Sequence, residues 1–129
     1  RRSMLLLGDL SFYHDMNGLL ASKYGMNITI VVINNRGGGI FSFLPIADAG
    51  IDEFSQYWTT DTELDLAKVA RLYNCQYYKT ANLEDLRVSI QESFTKKGIH
   101  IIEAKSKIEE NIKAHKDFMN KVEKTLTSS

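Results

Sequence analysis

The sequence predicts an α/β fold, a three-layer sandwich built on a mainly parallel sheet. Short apolar runs such as Met4–Leu7 and Ile28–Ile33 alternate with longer segments whose apolar residues recur at helical spacing. This alternation is typical of βαβ units, in which helices join parallel strands and cover the sheet. With 129 residues, 43% of them hydrophobic, the chain is large enough for one such domain with a packed core.

Four strands are predicted from apolar and β-branched runs. Met4–Leu7 is continuously apolar, which favours a strand buried on both faces of a parallel sheet. Ile28–Ile33 is β-branched throughout and is the clearest strand in the chain. Two further strands are predicted at Gln76–Lys79 and Ile99–Ala104. The single cysteine, Cys75, is expected to be buried in a strand rather than catalytic.

Helices are predicted between and after these strands. The predicted segments are Phe12–Tyr24 with Gly25 as its stop, Leu64–Tyr73, a helix that begins after Asn82, and a final helix along the stripe of Ile108, Ile112, His115, Met119, Val122 and Leu126. Asn82 followed by Asp85 resembles a capping box, which marks a helix start. The segment Ala47–Asp61 has no clean period and is expected to cover the surface.

Charge and composition exclude several classes of function. Lysine plus arginine and aspartate plus glutamate number 16 each, so no net field attracts nucleic acid or an anionic membrane. No apolar run is long enough to span a bilayer. A lone cysteine provides neither a disulfide framework nor a zinc site and fits a reducing compartment. We therefore predict a cytoplasmic protein with no nucleic-acid or membrane partner.

The first candidate loop follows the Met4–Leu7 strand and consists of Gly8, Asp9, Leu10 and Ser11. Gly8 allows a sharp turn and a close approach of a ligand to the backbone. Asp9 supplies an anionic oxygen. The amides near Leu10 and Ser11 begin a helix, where unpaired N–H groups and the helix dipole favour a phosphate. The loop therefore predicts a site for a phosphorylated ligand and a cation.

The second candidate loop follows the Ile28–Ile33 strand and contains Asn34, Asn35 and three glycines. In a parallel sheet both loops lie at the carboxyl edge, where ligands bind in open α/β folds. The Asp9 carboxylate and neutral oxygens such as the Asn35 side chain are too few for a dedicated calcium site. They suit Mg²⁺, which takes its other ligands from substrate phosphates and water. The residues predict a magnesium-bridged diphosphate, although Gly-Asp turns and Asn-Asn strand caps also occur without ligands.

Two strings of residues resemble a known family. The spacing of the Gly-Asp and Asn-Asn pairs resembles the thiamine diphosphate (TPP) motif of the acetolactate synthase and pyruvate decarboxylase superfamily. The longer strings, GDLSFYHDMNGL from Gly8 and NNRGGGIFSFLP from Asn34, look more like the MenD family, the 2-succinyl-5-enolpyruvyl-6-hydroxy-3-cyclohexene-1-carboxylate synthases. Leu10 stands where most of the superfamily has glycine, and in this it resembles the MenD branch. The segment Glu109–His115 is similar to the C-terminal helix of Gram-positive members.

The resemblance implies a role for residues of both strings. Mg²⁺ (or Mn²⁺) would be bound by the side chains of Asp9 and Asn35 and by the backbone carbonyl of Gly37. The implied cofactor-binding set is Gly8, Asp9, Leu10, Ser11, Asn35, Gly37, Ile40 and Phe41, with the amides near Leu10 and Ser11 at the diphosphate. Phe41 and Leu44 would face the substrate. No residue of this chain is assigned a catalytic role.

The resemblance also implies a reaction, and it implies that this reaction needs domains outside this chain. The family decarboxylates 2-oxoglutarate and adds the succinyl semialdehyde unit to isochorismate, a transferase reaction of bacterial menaquinone biosynthesis. Its activating glutamate lies in an N-terminal domain donated by a neighbouring subunit, and most of its substrate arginines lie upstream. We expect residues 1–129 to be a C-terminal TPP-binding domain, truncated at its N-terminus and inactive alone. Its expected partners are the N-terminal and middle domains of the same enzyme in a homo-oligomer.

Two alternatives stay open. The first is another TPP enzyme, such as an acetolactate synthase-like enzyme or a 2-oxoacid decarboxylase, against which Leu10 and the residues that follow it argue. The second is a non-catalytic scaffold fragment that folds and binds no cofactor. Magnesium-dependent binding of TPP that is lost on substitution of Asp9 distinguishes cofactor capture from the scaffold.

Overall fold

Four parallel strands form one sheet in the computed structural model of the chain, which describes residues 2–44 and 61–127. The strands are β1 (Ser3–Gly8), β2 (Ile28–Asn34), β3 (Gln76–Thr80) and β4 (Ile99–Lys105). The helices are α1 (Asp9–Asp15), α2 (Leu66–Leu72), α3 (Leu83–Thr95) and α4 (Ile108–Thr127), with 3₁₀ segments at Met16–Tyr24 and Gly39–Phe43. The predicted α/β fold with a parallel sheet is confirmed.

The strand order is β1-β2-β4-β3, and every neighbouring pair is parallel. The chain moves across the sheet in one direction from β1 to β3 and then returns to insert β4 in the centre. Because parallel crossovers are right-handed, this reversal places the last crossover helix on the opposite face from the earlier ones. The described strands and helices therefore form the three layers that the sequence predicted.

The two faces of the sheet have different cores. On one face α1, the first 3₁₀ segment and α2 pack onto β2 and β4, and the buried cluster contains Phe12, Leu19, Ile30, Val32, Leu66, Val69, Ala70, Ile99 and Ile101. On the other face α3 packs through Ser93, whose Oγ donates to the Ile90 carbonyl and lies 2.8 Å from the Thr29 Oγ1. Alternate residues of each strand thus serve opposite layers.

Helix ends follow the predicted signals in part. Gly25 ends the first helical region in the left-handed conformation (φ 67°), as predicted, but that region begins at Asp9 rather than Phe12. It changes from α to 3₁₀ geometry at Met16, directly before Asn17 and Gly18, which have low helix propensity.

The capping box is also present at the start of α3. The Asn82 side chain accepts a hydrogen bond from the Asp85 N–H (2.9 Å), and the Asp85 carboxylate accepts one from the Ala81 N–H (3.1 Å). These bonds satisfy helix-terminal and flanking amides, which is why this sequence pattern marks a helix start.

The prediction that the first strand is buried on both faces is wrong. β1 is an edge strand, and Met4, Leu5 and Leu6 are 46%, 50% and 67% exposed. In the described part of the chain β1 pairs only with β2, so its other side has no neighbouring strand. An apolar run shows that a strand can be buried, but its position in the sheet decides whether it is. The apolar run predicted the strand but not its place.

Three smaller expectations also meet the structure. Cys75 is half-buried and lies one residue before β3 rather than in it. His115, which the sequence places on the apolar stripe of the last helix, is exposed on α4. The centroids of its ring and of the Phe43 ring are 5.3 Å apart in a T-shaped arrangement. The predicted surface segment Ala47–Asp61 lies outside the described residues except for Asp61, which pairs with Arg36 at 3.0 Å.

Candidate functional site

The register of β1 and β2 brings the two candidate loops to the same edge of the sheet. Gly8 at the end of β1 pairs with Ile33, one residue before the end of β2. Asp9 and Asn35 therefore follow strand tips that stand side by side. Both strands point the same way, so the convergence follows from a parallel pairing that the sequence predicted.

The Asp9 carboxylate is buried and accepts two backbone hydrogen bonds. Asp9 is 4% exposed and is the first residue of α1. Its Oδ1 accepts from the Leu10 N–H at 2.9 Å, and its Oδ2 accepts from the Gly37 N–H at 2.8 Å. The second bond ties the first loop to the second. A carboxylate removed from water needs such partners, because an unpaired buried charge is costly.

The Asn35 side chain and the Gly37 carbonyl lie beside this carboxylate. One terminal atom of the Asn35 amide is 2.8 Å from the Gly37 carbonyl oxygen and 3.3 Å from Asp9 Oδ1. When that atom is the amide nitrogen, it donates to both oxygens. Rotation of the amide about its terminal bond would instead present an oxygen, so that three oxygen ligands face one another.

The spacing of these atoms fits an octahedral cation. Mg²⁺ binds oxygen ligands at about 2.0–2.1 Å, so neighbouring ligands of an octahedron are about 2.9 Å apart. The measured separations of 2.8 and 3.3 Å are close to this value. Within residues 2–44 and 61–127, no group of three or more His, Cys, Asp or Glu could hold a metal, so the donors here are one carboxylate and neutral oxygens. This set suits Mg²⁺ or Mn²⁺ completed by phosphate and water rather than zinc.

Unusual backbone angles shape the second loop. Arg36 has φ 63° and Gly37 has φ 138°, two consecutive residues in a region that L side chains rarely adopt. The turn aims the Gly37 N–H at Asp9. Gly39 approaches the site closely, because a Cβ placed on it would lie 3.0 Å from a terminal atom of the Asn35 amide.

The remaining predicted site residues lie around this centre. Gly8 and Ser11 are exposed, and Ile40, Phe41 and Leu44 are 73%, 38% and 45% exposed on or beside the second 3₁₀ segment. Apolar side chains presented to solvent next to a polar centre suit a ligand with aromatic rings. The Leu10 N–H is engaged by Asp9, so a diphosphate at this amide would have to share or replace that bond.

A hydrogen-bond cluster around one buried carboxylate, beside the second loop, was missed in the sequence. Glu103 on β4 is 5% exposed, accepts from Asn34 Nδ2 at 2.6 Å, and accepts from the Tyr77 hydroxyl. Burial and Glu103 together raise the pKa of the Tyr77 phenol, which keeps it a donor. The available signal was an acidic residue within a predicted strand, Ile99–Ala104, whose other residues are apolar except for His100.

A cleft of about 480 Å³ opens beside the second loop, and its lining includes residues of β2, β3 and β4. Its lining includes Asn34, Arg36, Lys79, Glu103 and Lys105, so charges of both signs face it.

In the ranges that the structure describes, no helix combines the length and hydropathy needed to cross a membrane.

Comparison with known proteins agrees with this geometry. A model of the family "Thiamine pyrophosphate enzyme, C-terminal TPP binding domain" matches residues 1–104. The 2-succinyl-5-enolpyruvyl-6-hydroxy-3-cyclohexene-1-carboxylate synthase of Listeria monocytogenes is 47% identical over 123 residues, which are 95% of this chain and 21% of that protein. The enzyme of the same name from Oceanobacillus iheyensis is 47% identical over 115 residues, 88% of this chain and 20% of that protein.

Solved structures share the fold at lower identity. A thiamine diphosphate-dependent 4-hydroxybenzoylformate decarboxylase from Rhodococcus jostii superposes with a TM-score of 0.70 at 21% identity, over 83% of this chain and 20% of that one. Benzoylformate decarboxylase from Polynucleobacter necessarius gives 0.72 at 20% identity, over 84% of this chain and 20% of that one.

These matches differ in how much of each protein they cover. The chain spans about a fifth of the length of the curated relatives that it matches. The family model, in contrast, covers most of the chain, including both loops of the candidate site. The chain therefore belongs to the thiamine pyrophosphate enzyme family, as a C-terminal TPP-binding domain.

Proposed function

We propose that this chain binds the Mg²⁺–diphosphate end of TPP in an enzyme of menaquinone biosynthesis. That enzyme would decarboxylate 2-oxoglutarate and add the resulting four-carbon unit to isochorismate. The reaction is taken from the relatives named for its product, which are 47% identical to this chain. When bound, TPP supplies the carbanion chemistry, while the protein supplies binding, orientation and exclusion of water.

One observation carries the binding role: a terminal atom of the Asn35 amide lies 2.8 Å from the Gly37 carbonyl oxygen and 3.3 Å from Asp9 Oδ1, separations that an octahedral cation could bridge. The Asp9 carboxylate would neutralise part of the cation's charge, and the two neutral oxygens would fix its position. Diphosphate oxygens and water would complete the shell, as is usual for Mg²⁺. The amides near Leu10 and Ser11 would bind the remaining phosphate oxygens. Gly8 has no side chain and would let the phosphate come close to the backbone.

The apolar residues beyond the second loop would contact the organic part of the ligands. Ile40 and Phe41 would pack near the cofactor rings, and Phe41 and Leu44 would face the substrate. Their exposure supports this assignment, because an apolar surface beside a polar centre gains from covering by a ligand. The chain alone is expected to give no turnover, since it spans only about a fifth of its relatives.

The binding role is tested by calorimetric titration of the 129-residue chain with TPP, with and without Mg²⁺. Binding is expected only with Mg²⁺, and Asp9→Asn is expected to weaken it at least about tenfold because a neutral amide replaces the anionic ligand. Asp15→Asn, at an exposed acid on the same helix, is the matched control and should bind as the unmodified chain does. Binding that does not depend on Mg²⁺, or that survives Asp9→Asn, would contradict the proposal.

The same titration separates the alternatives. A scaffold fragment would bind no TPP under either condition. Another TPP enzyme would bind TPP as proposed but use a different 2-oxoacid. Carbon dioxide release from 2-oxoglutarate, measured in the relative from Listeria with this chain exchanged for its matching segment, tests whether this chain supports the proposed reaction. A folded hybrid that binds TPP but releases no carbon dioxide from 2-oxoglutarate would contradict it.

A further inference from the structure

The Glu103 carboxylate lies at the centre of a hydrogen-bond cluster beside the second loop. It belongs to the central strand β4, where it pairs in register with Val32 and Lys79. Asn34 Nδ2 donates to its Oε1 at 2.6 Å, the Tyr77 hydroxyl donates to its Oε2, and Lys105 Nζ lies 3.9 Å away. Removal of Glu103 alone would leave the Asn34 amide and the Tyr77 hydroxyl without their acceptor, so this carboxylate is expected to matter for folding as well as for the loop beside it.

Asn34 connects this cluster to the second loop. Its Nδ2 donates to Glu103, and its Oδ1 accepts from the Arg36 N–H at 3.1 Å. The two ends of the amide cannot be exchanged, because the carboxylate oxygen needs a donor and the Arg36 N–H needs an acceptor. The backbone carbonyl of Asn34 is held in turn by the Ser106 N–H at 3.0 Å. Glu103 therefore determines which way the Asn34 amide faces.

The bond from Asn34 to Arg36 closes a turn of strained backbone. Arg36 and Gly37 both have positive φ, a region that is unfavourable for a non-glycine residue such as Arg36. That turn presents the Gly37 N–H to Asp9 Oδ2 and the Gly37 carbonyl to the Asn35 amide. Loss of the Asn34 side-chain acceptor would remove the hydrogen bond that stabilises Arg36 at positive φ. The turn could then relax, and the candidate ligands would lose their common orientation.

We infer that Glu103 is a positioning residue for the cation site: through the Asn34 amide it holds the Arg36–Gly37 turn in the conformation that presents the candidate ligands. This inference rests on the proposed function. Outer partners that orient metal ligands typically change metal affinity about 10- to 100-fold when they are removed. Removal of Glu103 should therefore lower cation affinity in chains that still fold, and its cost to folding is measured separately.

The test measures Mn²⁺ affinity by electron paramagnetic resonance on the 129-residue chain with saturating TPP, together with the urea midpoint without metal. Glu103→Met removes the acceptor for Asn34 and should weaken Mn²⁺ binding about tenfold or more. Glu103→Gln retains an acceptor oxygen and should stay within about threefold of the unmodified chain. Tyr77→Phe is the matched control, because it removes a bond to the same carboxylate but leaves the Asn34 bond in place, and it too should stay within about threefold.

Asn34→Ala provides an independent route to the same result. It should reproduce the loss seen in Glu103→Met, and the two substitutions combined should cost no more than either alone, because both break one connection. If Glu103→Met does not fold, Asn34→Ala decides the question by the same criterion. Equal Mn²⁺ affinity in the unmodified chain and in folded Glu103→Met or Asn34→Ala would overturn the positioning role. So would a Tyr77→Phe loss as large as that of Glu103→Met.

The two proposals fail differently. Absence of TPP-dependent Mn²⁺ binding in the unmodified chain overturns the cation site and with it the positioning role. If the unmodified chain binds Mn²⁺, Asp9→Asn abolishes that binding, and Glu103→Met and Asn34→Ala leave the Mn²⁺ affinity unchanged, only the positioning role is overturned.

Discussion

Gly39 offers a perturbation whose size follows from the structure. A Cβ added at Gly39 would lie 3.0 Å from the other terminal atom of the Asn35 amide, not the one that faces Asp9 and Gly37. Because the amide is rigid and planar, a shift of this atom by a few tenths of an ångström moves the facing atom as well. The two contacts with Ile108, at 3.6 and 3.7 Å, are ordinary. Distances in a metal site must hold to within about 0.2 Å. The displacement is therefore small for folding but large for a metal ligand.

Gly39→Ala is expected to weaken Mg²⁺ affinity about tenfold, a loss of about 1.4 kcal/mol. The free energy of unfolding without metal should change by less than about 1 kcal/mol, because only the end of one side chain must shift. The assays are calorimetric titration of Mg²⁺ with saturating TPP, and urea denaturation in a chelator. Gly18→Ala is the matched control, since its Cβ would meet no atom within 4 Å.

Two results would refute this reasoning about Gly39. Unchanged Mg²⁺ affinity in a folded Gly39→Ala chain would mean that the Asn35 amide does not need its present position to bind the cation. A loss of Mg²⁺ affinity of the same size in Gly18→Ala would mean that the effect is general rather than local to the Asn35 side chain.

Three further predictions concern stability. Asn82→Ala should lower the free energy of unfolding by about 1 kcal/mol through loss of the α3 cap and leave TPP binding unchanged, as judged by urea denaturation and titration. Ile101→Val should cost about 1 kcal/mol in the same denaturation experiment because the side chain is fully buried. Burial lowers the pKa of His100, so below about pH 6.5 the unfolded chain takes up a proton that the folded chain resists. Stability should therefore fall from pH 7 to pH 5, and a slope that is unchanged in His100→Gln would contradict this origin.

Much of the fold was predictable because its signals are local. The β-branched run at Ile28–Ile33 favours a strand through its own side chains, and Asn82 with Asp85 forms its cap from residues only three apart. Gly25 ends a helix because its own backbone adopts the left-handed conformation. Such features need no information about distant residues.

The failures share the opposite property. Burial of β1 depends on which strands stand beside it, and its apolar sequence was compatible with either a central or an edge position. Glu103 was overlooked because its partner Asn34 is 69 residues away along the chain. Neither neighbour relation leaves a periodic pattern in the sequence.

The candidate site divides along the same line. The sequence by itself determined the two polar loops and their place at strand ends, because Asp9 and Asn35 each lie two residues after a run that favours a strand. Tertiary structure decided that Gly8 pairs with Ile33, that Gly37 turns its N–H toward Asp9, and that a buried carboxylate orients Asn34. Strand register and long-range hydrogen bonds set distances between atoms far apart in the chain, and a cation responds to those distances rather than to residue identity alone.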